Sequence, residues 1–334
     1  MTRRSFLALM IAFVVFAGIA TGNAIEKKQG VYEYVVRNVP GEFTAVVQQL
    51  DSAFRAAGYQ VLGTLENAAP EGCSYHVTVL AVYNPAFGKQ LLSRNAQTAP
   101  YALVDRIIVF QDEEGTHISI VNPINILRTV LMDDEGPVAM ADAHRQELRK
   151  VIEGAITGGK HTTRQYGQFR KKGYIGRTMG VMAGGPFNEK INTITATSAS
   201  LEEAVNAVKQ AFAKNSGKWK LRVRYVLTLP DEGIAVVGVS SPSVESRSFK
   251  IVGAGSDDSR EDFKCPGIAH AGAYPMEVVL RAANGKTTAE VTDIMYRMKM
   301  YFEDAGKWAF AKNMTMPGSI QGEIEAVVKA ALSQ

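Results

Sequence analysis

The sequence predicts an α+β protein made of two tandem copies of a small domain, each an antiparallel sheet with packing helices. Three observations point there. Phe43, Val46, Val47, Leu50 and Phe54 form one apolar stripe at helical spacing, and Leu201, Ala204, Val205, Val208 and Phe212 repeat its intervals from Leu201 on. A β-hairpin pattern around Gly115 returns around Gly285. The 334 residues hold two domains of ordinary size, and a repeat of this length is a duplicated domain, not a solenoid unit. The expected division is a first domain over 31–157, a Gly-rich linker over 158–188 and a second, diverged domain over 189–334.

The elements follow in order. Val31 to Val39 is β-prone and ends at Pro40-Gly41; the first striped helix runs to Gly58, which suits a left-handed C-cap. Tyr59 to Leu65 and Tyr75 to Val82 read as strands, the second with alternating β-branched residues. Asn84-Pro85 opens a short helix. Val104 to Phe110 and His117 to Val121 form the hairpin, Asn122-Pro123 starts another helix, and His144 to Ile156 closes the domain. In the second half, Lys190 to Thr197 is a strand and Ser200 with Glu203 has capping-box spacing. Strands at Leu221 to Leu227 and Ile234 to Val239 follow, then Ser241-Pro242 in place of Asn84-Pro85. Tyr274 to Leu280 and Thr287 to Val291 repeat the hairpin, Ile294 to Phe302 the next helix, and Ile320, Ile324, Val327, Val328 and Ala331 the closing stripe. A polar insertion is expected over Gly253 to Pro266.

Residues 1–24 read as an export signal: Arg3 and Arg4, an apolar run from Phe6 to Ile19, and a small-residue cleavage site ending at Ala24. The run is short for a membrane span. Thr2-Arg3-Arg4-Ser5-Phe6-Leu7 also resembles the twin-arginine consensus, and that route and the general secretory one both stay open. The expected location is periplasmic or secreted. Removing Arg3 and Arg4 with the leader takes the net charge from +4 to +2, too little for a nucleic-acid partner. The cations between Gly158 and Phe187 could brush an anionic membrane. No GxxxxGK[ST] is present, so this stretch is read as a solvated connector.

Pro70-Glu71-Gly72, Tyr75-His76-Val77-Thr78-Val79, Tyr83-Asn84-Pro85, Val104 to Val109 and Val121-Asn122-Pro123 resemble the domain of unknown function 302 family across most of 42–132. The second half keeps the order of elements without the Asn-Pro pairs, and so resembles a diverged copy. The resemblance implies a small α+β fold, single or tandem, that associates through its sheets, including as a homodimer. It implies no agreed activity.

The candidate chemistry is sparse. His76, Tyr83, Asn84 and Asn122 are the candidate ligand-binding residues, with His76 read as mid-strand and cross-strand bonded. His117 is expected to be exposed. Met295, Met298, Met300, Met314 and Met316 are either soft copper ligands or core gap-fillers, with His270 a further metal candidate. Cys265-Pro266 admits a thiolate haem ligand; Cys73 and Cys265 otherwise suit one disulfide across the domains. There is no CxxC and no GxSxG, and Asp51, Asp105, Glu71 and Asp293 are scattered singletons, so an enzyme is the third choice. The leading expectation is a non-catalytic binding protein that holds a small ligand or a periplasmic protein between its domains. The alternative is a redox or metal-handling protein carrying copper or haem.

Overall fold

The computed structural model describes residues 25–176, 183–255 and 263–333. The expected leader, residues 1–24, lies outside them, as do parts of the expected linker and insertion. The first half lays down β1 (Gln29–Val39), α1 (Phe43–Ala56), β2 (Gln60–Glu66), β3 (Val77–Tyr83), α2 (Pro85–Arg94), β4 (Val104–Asp112) and β5 (Gly115–Val121). It continues with α3 (Pro123–Val130), α4 (Val138–Ala155), the two-residue β6 (Lys160–His161) and β7 (Gln165–Arg170). The second half gives β8 (Ile191–Thr197), α5 (Leu201–Lys214), β9 (Arg222–Leu229), β10 (Ile234–Ser240), α6 (Pro242–Gly253), β11 (Met276–Ala283) and β12 (Lys286–Thr292). It ends with α7 (Ile294–Phe302), α8 (Lys307–Lys312) and α9 (Thr315–Leu332). The sheets run β2-β3-β4-β5-β1 and β9-β10-β11-β12-β8, antiparallel throughout. Strand for strand, the order is the same.

Short polar side chains set the strand-to-helix turns. The Asn84 side chain accepts from the amides of Ala86 and Phe87, and Asn122 from that of Ile124. Ser241 and Asp293 do the same in the second half, for Val244 and Tyr296. The missing Asn-Pro pairs are therefore replaced by other good N-caps, so the local geometry survives the change of sequence. Ser200 and Glu203 form the reciprocal capping box. At the second hairpin, Asn284 and Gly285 both take positive φ (52° and 73°), the conformation a two-residue turn of matching twist requires.

The two faces of the first sheet serve different cores. Leu80, Val82, Ile107, Val109, Ile118 and Ile120 pack under α1 and α4, against Val46, Leu50, Phe54, Leu148 and Ile152. The alternate residues Val79, Ala81, Ile108 and Phe110 turn to the other side and share one continuous core with the second half. There β2 lies against β9, and Arg224 donates to the Glu66 carbonyl at 2.6 Å. With α5 and α9 packed beyond the second sheet, the layers run helix, sheet, sheet, helix.

Two expectations need correction. The stretch 158–188 is not only a solvated connector: β6 and β7 both pair with β1, and Tyr166 and Arg170 are buried. The edge of β1 would otherwise leave a row of backbone donors and acceptors unpaired. Gly167, at φ 74°, lets the strand pass over the Tyr32 ring, which a Cβ would meet at 2.9 Å. His76 is also not mid-strand. A turn closed by the Cys73 amide on the Pro70 carbonyl delays pairing until Val77, so His76 is exposed, its ring 5.5 Å from that of Phe43.

Cys73 and Cys265 are disulfide-bonded, with Cα atoms 6.0 Å apart and a sequence separation of 192. A bridge across so long a loop restricts the unfolded chain strongly. Replacing both cysteines by serine should cost about 2–5 kcal/mol. Urea unfolding of the double variant would check it, and an unchanged midpoint would contradict it.

Candidate functional site

The seam between the sheets is built on one carboxylate and two guanidinium groups. Glu277 on β11 sits 3.1 Å from Arg106 Nη2 on β4 and 2.8 Å from Arg297 Nε on α7, all three side chains at most 5 % exposed. Arg297 also donates to the carbonyls of Ala273 and Pro275, and Arg106 to the Tyr301 hydroxyl at 2.9 Å. Both guanidiniums lie over the Tyr301 ring, at 5.1 and 4.8 Å from its centroid. Burial pushes the Glu277 carboxyl up, but Arg297 and then Arg106 outweigh it and hold the group below its ordinary value. Beside this cluster Tyr166 is bonded to Ser119 Oγ and the Ala269 carbonyl, and His270 Nε2 lies 2.7 Å from Asp304 Oδ2. The cavity that borders Arg106 on its first-half side is about 20 Å³, space for a water at most. At this point the facing sheets are filled by their own side chains.

At the rim of the seam a groove of about 780 Å³ is open, within the range of small-molecule sites. One face of α6 gives it Arg247 and Lys250, with Ala254 just past the helix end, while α8 gives Trp308 and Lys312. Glu71, two residues from the disulfide, borders it from the first half, and the buried Trp219 also lines it. Trp308 is 83 % exposed, the largest exposure among the described large apolar residues. Three cations against one carboxylate make the groove electropositive. Trp219 and Trp308 are the chain's only two tryptophans, and both line it. That count was a usable signal in the sequence; the convergence of α6, α8 and Glu71 was not.

The residues singled out in the sequence are scattered. Tyr83 is buried at the end of β3, and Asn84 caps α2 and donates to Glu147 Oε1 at 3.1 Å. Asn122 is fully buried, capping α3 and donating to Gln29 Oε1 and the Gly30 carbonyl. His76 lies just before β3, with β4, β5 and β1 between that strand and β7. Met298, Met300 and Met316 are buried, Met298 and Met316 bordering one cavity of about 40 Å³; Met295 and Met314 are half-buried. Cys265 is bonded to Cys73, as one of the two sequence readings had it, so the thiolate that Cys265-Pro266 would have offered a haem is not there.

His117 is fully buried, contrary to expectation. With Asp112 and Glu114 it makes the one group of three possible His or carboxylate ligands found among the described residues. Its Nδ1 accepts the Asn38 amide at 3.3 Å and its Nε2 faces Asp112 Oδ1 at 2.7 Å, so both ring nitrogens are engaged within the fold.

Comparison with known proteins supports the first half. The family described as domain of unknown function DUF302 matches residues 35–155. Among solved structures, the chain is similar to an uncharacterized conserved DUF302 protein from Bacillus stearothermophilus. The identity is 19%, with 37% of this chain and 98% of that one covered, at a TM-score of 0.32. No curated protein matches.

The seam yields a pH prediction. Because the Glu277 carboxyl is held low in the folded protein, its stabilisation is present above the ordinary carboxylate range and is lost as pH falls through its depressed value. Glu277→Gln should therefore cost about 3–5 kcal/mol near neutrality, by leaving two buried guanidiniums without their counter-charge. The gap to wild type should close as pH drops. Denaturant unfolding of both proteins across the acid range measures it, and a gap that stays constant would contradict the assignment.

Proposed function

The chain is a DUF302-family protein through its residues 35–155, and on that premise we propose that it is an exported, non-catalytic binding protein whose groove at the seam takes a small anionic ligand. The observation that carries this reading is the meeting of Trp308 with Arg247, Lys250 and Lys312 in one groove bordered by both halves. An exposed indole offers a flat apolar face, and the three cations select negative charge. A carboxylate or phosphate attached to a flat or apolar body satisfies both. The second half, on this reading, is a diverged copy of the family domain that supplies most of the groove, while the first supplies Glu71 and the disulfide anchor.

The copper alternative rests on Met298 and Met316, which border a common cavity. Thioethers there would favour Cu(I). Copper bound by wild type and lost from the Met298→Leu, Met316→Leu double variant would favour that alternative over the groove.

For the groove, tryptophan fluorescence of the full chain, titrated with benzoate and larger aromatic carboxylates, should change saturably. Trp308→Ala should remove most of the change, and Lys250→Glu should weaken binding at least about fivefold, since one exposed charge contact is worth about 1 kcal/mol and reversal doubles its effect. Both positions are exposed, so stability should move by less than about 0.5 kcal/mol. Titrations that respond equally in wild type and Lys250→Glu would reject the groove as an anion site.

A further inference from the structure

The internal repeat supplies its own comparison, and one position in it differs in kind. Setting α4 on α9 by their buried stripes places Leu148 on Ile324 and Ile152 on Val328. His144 then falls on Ile320 and Glu147 on Glu323. In the second half this corner is closed. Glu323 accepts from the Trp219 and Leu221 amides and from Asn215 Nδ2, and the Trp219 indole donates to Ser319 at 3.0 Å.

In the first half the same corner is open and polar. A hollow of about 500 Å³ lies between the end of α1, the start of α2 and α4, lined by Phe87, Met140, His144 and Glu147 among others. The His144 side chain is buried, and its Nε2 lies 2.8 Å from Asp105 Oδ2 on β4. In the neutral imidazole, a carboxylate there favours the tautomer with its proton on Nε2, which leaves Nδ1 as an acceptor. Nδ1 has no hydrogen-bond partner among the described residues. Glu147 Oε2 is 3.9 Å away, while Asn84 holds the other oxygen of that carboxylate. The Phe87 ring stacks on the imidazole at 3.6 Å and fixes its plane. Nearby, the buried Tyr59 hydroxyl also lacks a partner of hydrogen-bonding geometry among the described residues, and burial pushes its phenol above the ordinary value, so it stays a neutral hydroxyl.

Two acceptors thus face each other across a gap that a single hydrogen-bond donor can bridge, at the floor of a hollow with an apolar wall. An unpartnered buried acceptor has a real cost, and the second half avoids it with Ile320 in place of His144, while Trp219 packs into the corner. We propose that the first-half hollow is a second ligand site, which takes the protonated primary amine of a small molecule between His144 Nδ1 and Glu147 Oε2. Its carbon chain lies along Phe87 and Met140. A metal ion would find only these two ligands facing one another, fewer than a structural or catalytic zinc site uses.

The test is nitrogen-15 NMR of the histidine side chains in the full chain, titrated with n-butylamine, with butyrate and with zinc chloride as separate probes. The amine should move the His144 Nδ1 resonance saturably, and butyrate and zinc should not move it in the same range. Glu147→Gln should weaken the amine response about tenfold or more; Glu147 is half-exposed at its side chain, so this variant keeps the fold. His144→Gln, checked for folding by circular dichroism, should show no amine-dependent melting shift. A response to zinc or butyrate as strong as that to the amine, or an undiminished amine response in Glu147→Gln, would overturn the proposal.

Discussion

Glu277, held between Arg106 and Arg297, is the constraint on which the arrangement of the two halves depends. Two sheets with apolar faces can slide over each other at small cost, because burial of apolar area has no direction. A buried carboxylate between two guanidiniums has direction. Any shift that separated Glu277 from Arg106 would leave a charge in a dry interior without its partner, at a cost of several kcal/mol. The cluster therefore fixes register more than it adds stability, and the disulfide at the rim fixes it a second time by covalent means.

The register has consequences for where a ligand can enter. With Tyr166, His270, Asp304 and Tyr301 packed around the ion cluster, the middle of the seam is occupied by protein. Open volume is displaced to the rim, between α6 and α8, and to the outer side of the first sheet, under α4. The two hollows differ in charge. The rim groove is cationic with an exposed indole, and the first-half hollow presents acceptors. As proposed, the two take ligands of opposite sign.

The two halves share one order of strands and differ at particular positions, and those positions account for much of this asymmetry in physical terms. The strand order and helix caps are the same in both halves, with Ser241 and Asp293 doing the work of Asn84 and Asn122. The corner under the closing helix is not the same. Trp219 fills it in the second half, and the carboxylate of Glu323 is spent on backbone amides; in the first half Glu147 and His144 keep unused acceptor capacity.

Much of the fold was legible because its signals are local. A stripe at helical spacing buries the same face wherever it occurs, as Val46, Leu50 and Phe54 and their counterparts Val205, Val208 and Phe212 show. The capping box at Ser200 and the turn at Asn284-Gly285 are likewise settled within a few residues. The pairing of β7 with β1 was hidden by glycines and cations that look like a connector; a free sheet edge more than a hundred residues away decided it. Neither hollow was legible for the same reason. Asp105 and His144 are single residues 39 apart, and Trp308 meets Arg247 only because α8 folds back on α6. The sequence by itself determined the helices, strands, caps and the repeat, since those depend on short-range stereochemistry and periodic burial. The tertiary structure alone decided which charges meet at the seam, where space is left open and which polar atoms go unpartnered, since those depend on how distant segments pack.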